Sequence, residues 1–240
     1  MSKELALTLS IVFIALGAIC TTLFIIGKVK KYSVKETIVK SMASLFFIAV
    51  AAVNLYYKGL HTLPLFVVLG LICGLCGDIW LELKVVYKEQ DTEFTYAGFL
   101  SFAAGHVFYI TGMYLEFFNG THPLYVIIPI CGSVICAVAV LFVGKLLKLD
   151  FKDMKLISFL YSMALFSTPL CALSLNILYG FQNATLLMLF IGGILFAISD
   201  LVLSQTYFGE NHEKPLDFIL NYWTYYPAQF VIAFSLFFLF

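Results

Sequence analysis

"LPLFVVLGLICGLCGDIWLELK", residues 63–84, is apolar through its first fifteen positions and then places Asp78, and one helical turn later Glu82, in the same run. A stretch this long crosses a hydrocarbon layer of about 30 Å as a helix. Backbone embedded in lipid has no water to bond, so a single spanning segment must be helical. Carboxylates do not belong in such a segment unless they face protein or a wet cavity. A charge near a helix centre costs about 2.5–3.5 kcal/mol on insertion scales.

The rest of the chain has the same character. Of its 240 residues 62% are hydrophobic and 12% charged, with a mean hydropathy of +1.00. A soluble domain is closer to half apolar and about a quarter charged. The 14 basic residues, all lysine, balance 14 acidic ones. That leaves neither a basic field for nucleic acid nor an acidic tail. Six cysteines lie in apolar runs; Cys73 and Cys76 form a C-x-x-C without a second pair at zinc spacing, so they read as small thiols buried at helix contacts. The N-terminal run has no A-x-A site after it and is too long for a signal peptide, so it reads as the first membrane helix.

Polar punctuation divides the chain into eight transmembrane helices, Leu5–Ile26, Val34–Tyr57, Leu63–Leu81, Phe94–Phe118, Pro123–Val143, Met154–Tyr179, Ala184–Tyr207 and Leu216–Phe240. The fold class is therefore all-α, a polytopic membrane helix bundle forming one domain over residues 1–240, with both termini at one end. The connections after helices one, three, five and seven carry Lys28, Lys30, Lys31, Lys35, Lys84, Lys88, Lys145, Lys148, Lys152, Lys155 and Lys214, against Lys3 and Lys58 on the other side. By the positive-inside rule these connections are cytoplasmic and both termini are outside. The sequons at Asn119 and Asn183 fall on the predicted outer side.

Helical spacing says where the unexpected polar groups point. Gly70, Gly74, Asp78 and Glu82 recur every four residues and form one stripe, and Gly193, Ala197, Asp200 and Ser204, spaced four, three and four, form one on the seventh helix. Small residues let helix backbones approach closely, so both stripes face protein. Gly98, Gly105, Tyr109 and Gly112 make a small-residue face with His106 at its edge, and Tyr222, Tyr225, Tyr226 and Gln229 cover one side of the last helix. Lys40 begins the second helix at the same depth as Asp78, Asp200 and Tyr222. "GDIWLE" (77–82) and "SDLVLS" (199–204) share a small–Asp–apolar–apolar–Leu pattern four helices apart, which points to two weakly similar four-helix halves.

"GLCGDIWLE", "GFLSFAAGHVFYI" (98–110), "LFAISDLVLS" (195–204) and "TYYPAQFVIA" (224–233) resemble, in order and spacing, the successive motifs of the YhhN-like lysoplasmalogenases. The resemblance implies an eight-helix integral membrane hydrolase that cleaves the vinyl ether of lysoplasmenyl-ethanolamine or lysoplasmenyl-choline, giving a fatty aldehyde and a glycerophospho-base. It implies Asp78 and Asp200 as the catalytic pair, and Lys40, Glu82, His106, Tyr109, Tyr225, Tyr226 and Gln229 as substrate-binding positions. The "VKSMAS" around Lys40 lacks the proline expected beside that lysine. The partner implied is a lysophospholipid drawn from the bilayer, with no metal and no cofactor.

The chemistry suits two carboxyl groups. Hydrolysis of a vinyl ether begins with protonation at carbon and passes through an oxocarbenium ion that water captures. Glycosidases meet a related cation with one carboxylic acid and one carboxylate. Such a pair titrates as a unit, so the sequence does not say which aspartate is the acid. Tyr226 or His106 is expected to position water or the ether oxygen, and Lys40 to attract the phosphate. Two other classes compete: a metal-dependent membrane lipid amidase or hydrolase, for which only His106 of four histidines lies deep in a helix, and a small proton-coupled carrier using paired aspartates.

Overall fold

The computed structural model describes residues 1–30, 34–120, 122–209 and 215–240, with the side chains of residues 30, 152 and 215 left aside. Lys31, Lys214, His212 and the sequon residue Thr121 lie outside the described residues. The described residues form eight α-helices: α1 (Lys3–Lys30), α2 (Val34–Lys58), α3 (Thr62–Val86), α4 (Asp91–Phe117), α5 (Leu124–Leu146), α6 (Lys155–Leu178), α7 (Ala184–Phe208) and α8 (Pro215–Ser235). No strand occurs among them. Seven of the helices are long and apolar enough to cross a membrane; α8 falls short because Asn221, the tyrosines and Gln229 dilute it. The chain is thus an all-α membrane bundle.

Two boundaries differ from the sequence reading in ways that matter. Helix α1 continues past Ile26 through Gly27 and Lys28, so Lys28 is a helical side chain and not a loop lysine. Helix α3 continues to Val86, which keeps Glu82 and Lys84 in the helix. Pro169 does not interrupt α6; its ring packs where Gly193 of α7 leaves room, 3.0 Å from the position a Cβ would take.

The helices pack α1 on α2, α2 on α3, α3 on α4, and again α5 on α6, α6 on α7, α7 on α8. The long-range contacts follow the same rule: α4 lies against α6 as α8 lies against α2. Helices α3 and α7 are both 25 residues long, and each aspartate stands sixteen residues after its helix begins. The two four-helix halves therefore share one packing plan. Helix α5 is outermost, burying only Pro129, Ser133, Ala137 and Gly144. Hydrogen bonds from Asn54 to Ser10 (3.1 Å) and from Lys58 to the Phe240 carbonyl (2.8 Å) gather the starts and ends of the chain at one end.

The closest approach is between α3 and α4. A Cβ at Gly70 would stand 2.9 Å from the Gly105 carbonyl, and one at Gly105 would stand 2.9 Å from the Gly70 carbonyl. This contact sets the depth at which α3 presents Asp78 and Glu82. Asn183 caps α7 by accepting from the Leu186 amide at 3.1 Å. All six cysteines are free, and Cys76 and Cys131 are exposed on the outside of the bundle rather than filling helix contacts.

Candidate active site

The stripe on α3 carries the polar layer into the interior. Asp78, Glu82 and Lys40 are 2%, 1% and 3% exposed, so none of them is an interfacial side chain reaching for water. Lys40 Nζ lies 3.2 Å from Asp78 Oδ1 and 3.0 Å from Glu82 Oε1. Lys28 Nζ, from the last turns of α1, lies 2.9 Å from the same Glu82 oxygen and donates to the Tyr222 hydroxyl at 2.8 Å. Tyr222 in turn donates to Glu82 at 3.0 Å. Two ammonium groups and two carboxylates thus form an electroneutral set. Buried charges are tolerated when they are paired and hydrogen-bonded in this way.

Asp78 is the most heavily supported of the acids. Its Oδ2 accepts from Ser44 at 2.6 Å and from Tyr225 at 2.8 Å. A chain of donors runs behind it: Tyr109 gives to Gln229 at 3.2 Å, and Gln229 gives to the Tyr225 hydroxyl at 3.1 Å. Gly74 makes this possible, since a Cβ there would stand 2.8 Å from Gln229 Nε2. Tyr226 donates to the Lys40 carbonyl at 3.2 Å and so braces α2 against α8.

Asp200 is held differently. Tyr161 of α6 donates to its Oδ2, and among the described residues no cation pairs with it. Next to it, Asn221 donates to the Ser199 carbonyl and hydroxyl, each at 2.9 Å, fixing α7 against α8. Asp78 and Asp200 share no hydrogen bond. They meet instead across a cavity of about 20 Å³ that both line, together with Lys40, Leu81, Phe102, Leu203, Tyr207, Asn221, Tyr222 and Tyr225. That is room for about one water molecule. Asp200 also lines a second space, an apolar cleft between α5, α6 and α7 that reaches the lipid-facing surface at Leu201.

Of the positions singled out in the sequence, Asp78, Asp200, Lys40, Tyr222 and Tyr225 line the shared cavity. Glu82 does not line it; it neutralises Lys40 and Lys28. Lys40 is accordingly no free cation waiting for a phosphate, because Asp78 and Glu82 already share its charge. Tyr109, Tyr226 and Gln229 stand behind the cavity as supports. His106 bonds Thr168 through Nδ1 at 2.8 Å, within an aromatic shell whose nearest ring is Phe196 at 4.8 Å, and its Nε2 has no hydrogen-bond partner among the described residues. Neither His106 nor Tyr226, expected to position water or the ether oxygen, is among the residues that line the cavity.

Lys28, Ser44, Tyr161, Tyr207 and Asn221 escaped the sequence reading. The one available signal was for Asn221, an amide in the first turns of an otherwise apolar helix. Among the described residues no three His, Cys, Asp or Glu side chains stand together as metal ligands. No curated protein and no solved structure matches the chain. The family model of the YhhN family matches residues 35–236, a span that includes both aspartates, Lys40 and all of α3 to α7, and the chain belongs to that family.

Proposed function

We propose that the protein is a membrane hydrolase that cleaves the vinyl ether bond of lysoplasmalogens with Asp78 and Asp200 as its acid–base pair. The observation that carries this reading is the cavity of about 20 Å³ into which both carboxyl groups open, beside an apolar cleft of about 40 Å³ that reaches the lipid-facing surface. The resemblance of its motifs to lysoplasmalogenases supplies the substrate class.

The different surroundings of the two acids divide their roles. Asp78, beside the Lys40 ammonium, is the carboxylate; Asp200, with a tyrosine and no cation, carries the proton. Asp200 protonates the alkenyl carbon β to the ether oxygen, leaving an oxocarbenium ion. Water adds to that ion and gives its proton to Asp78. As the hemiacetal collapses, its hydroxyl proton returns to Asp200 and Asp78 protonates the departing glycerol oxygen. Both carboxyl groups end as they began, with one water consumed. The rings of Phe102 and Tyr225, 6.0 Å apart on the cavity wall, shield the cation from bulk water and offer it aromatic faces. The lysine-rich end of the bundle supports a cytoplasmic position for the site.

The test is aldehyde release from lysoplasmenyl-ethanolamine by purified protein, beside Asp78→Asn and Asp200→Asn. Loss of general acid–base catalysis lowers the rate by about 10²–10⁴-fold. Parental rates in folded variants refute the mechanism. Activity that disappears in strong chelator favours a metal hydrolase, and solute uptake by proteoliposomes without aldehyde formation favours a carrier.

A further inference from the structure

The aspartate cavity has room for about one water molecule, and each hydrolytic turnover consumes one. Its walls lead three ways. Tyr222, fixed by hydrogen bonds with Lys28 and Glu82, separates it from an apolar groove of about 270 Å³ along α1 and α8. Asp200 and Leu203 face the cleft that reaches the lipid-facing surface. Both of these spaces end in hydrocarbon. The third way leads to a polar basin of about 430 Å³ at the lysine-rich end of the bundle, which reaches the surface at the exposed Asp91 and Thr92. Among the described residues Tyr207 alone lines both the cavity and the basin. Lys84 Nζ stands 3.7 Å from the Tyr207 ring centroid and is itself held by Asp91 Oδ1 at 3.2 Å and Thr95 Oγ1 at 3.3 Å. The main chain at this point is fixed, since the Asp150 N–H donates to the Phe208 carbonyl at 2.8 Å. Opening the passage therefore moves one side chain against a cation–π contact, and no helix.

We propose that Tyr207 decides which nucleophile captures the oxocarbenium ion: its ring passes water from the basin to the aspartates one molecule at a time and turns back alcohols. The proposal rests on the reading of the protein as a vinyl ether hydrolase. Such a cation accepts any O–H nucleophile that reaches it. An alcohol would add its oxygen to the cationic carbon and give its proton to Asp78, while Asp200 has already given its own to the neighbouring carbon, so the pair again holds one proton. The product is a mixed acetal with no hydroxyl through which to collapse, and the aldehyde stays joined to the glycerol. Exclusion by size prevents this loss, which is selection against the wrong reactant as much as for the right one. Lys84 sets how readily the ring moves and so is a positioning residue, acting through Tyr207.

The test reads the product and not the rate. Full-length protein in detergent micelles turns over lysoplasmenyl-ethanolamine in water containing 2-propanol, and mass spectrometry gives the ratio of mixed acetal to aldehyde. The parent releases aldehyde with little acetal. Tyr207→Ala raises the ratio by about tenfold or more, the scale on which a pocket sorts reactants by size. Tyr207→Phe keeps the parental ratio, because the ring is the barrier. Abundant acetal from the parent, or one ratio for the parent and Tyr207→Ala, overturns the proposal. Where Tyr207→Ala fails to fold, Lys84→Gln, which keeps the ring and frees it, decides by the same rise. A second measurement needs no turnover. Leu81→Cys, in a chain whose six native cysteines are replaced by alanine, puts a thiol on the cavity wall, and its reaction with aqueous silver ion is timed. Tyr207→Trp slows that reaction and Lys84→Gln speeds it. Rates that ignore both substitutions overturn the passage even where aldehyde is released. Rates ordered as expected in a protein that releases no aldehyde uphold the passage and remove the hydrolase.

Discussion

Lys40 stands 3.2 Å from Asp78 with both side chains sealed from solvent, and this pairing joins α2 to α3 at the level of the cavity. Removing one partner of a buried ion pair costs about 3–5 kcal/mol, because the other charge is stranded. Lys40→Met leaves Asp78 and Glu82 with Lys28 alone, so its thermal unfolding midpoint in detergent drops sharply and aldehyde release falls with it. Adding Asp78→Asn leaves Lys28 and Glu82 paired at 2.9 Å with no stranded carboxylate beside them, and recovers part of the midpoint. A double variant no more stable than Lys40→Met contradicts the electroneutral account.

Tyr161→Phe isolates the hydrogen bond to Asp200. The ring stays stacked on Phe99, 5.1 Å away at 11°, so the fold persists. A hydrogen bond to a charged group contributes about 1.5–3 kcal/mol, and about 1.4 kcal/mol is tenfold in rate. The expected result is a kcat lowered by about tenfold or more with a smaller change in KM. An unchanged kcat separates Tyr161 from the chemistry.

Gly70→Ala tests the α3–α4 contact. The new methyl meets the Gly105 carbonyl at 2.9 Å and the Tyr109 ring at 2.3 Å. Overpacking of this kind costs about 1–3 kcal/mol, read as a lower unfolding midpoint. Gly132→Ala on the outer helix meets only Leu170, at 3.2 Å, and holds its midpoint within error or gains slightly from helix propensity. Equal losses at the two sites contradict a special role for the α3–α4 approach.

The helices were readable because hydropathy and length suffice to mark a membrane span, and the α3 stripe because a four-residue recurrence puts Gly70, Gly74, Asp78 and Glu82 on one face. Lys28 was not, since Gly27 and a lysine cluster imitate a helix end; a long aliphatic stem then carries its ammonium inward along α1. Tyr161 was not, because a tyrosine early in a membrane helix has the signature of an interfacial anchor, and periodicity within α6 is silent about its partner on α7. Ser44 presents a hydroxyl too small to leave a pattern. His106 and Tyr226 share helix faces with the site residues yet do not line the cavity, a distinction that needs the tilt and stagger of packed helices.

The electroneutral set also bears on how the chain enters its membrane. Lys28, Lys40, Asp78 and Glu82 all belong to α1, α2 and α3, consecutive segments synthesised before α4 to α8. Each alone near a helix centre costs about 2.5–3.5 kcal/mol to insert. Once the third segment arrives, two cations meet two anions, and the most hydrophilic burden of the protein is matched before the second half exists. A chain truncated after α3 therefore keeps all four of these charges together, whereas one truncated after α2 keeps Lys28 and Lys40 without the two carboxylates of α3.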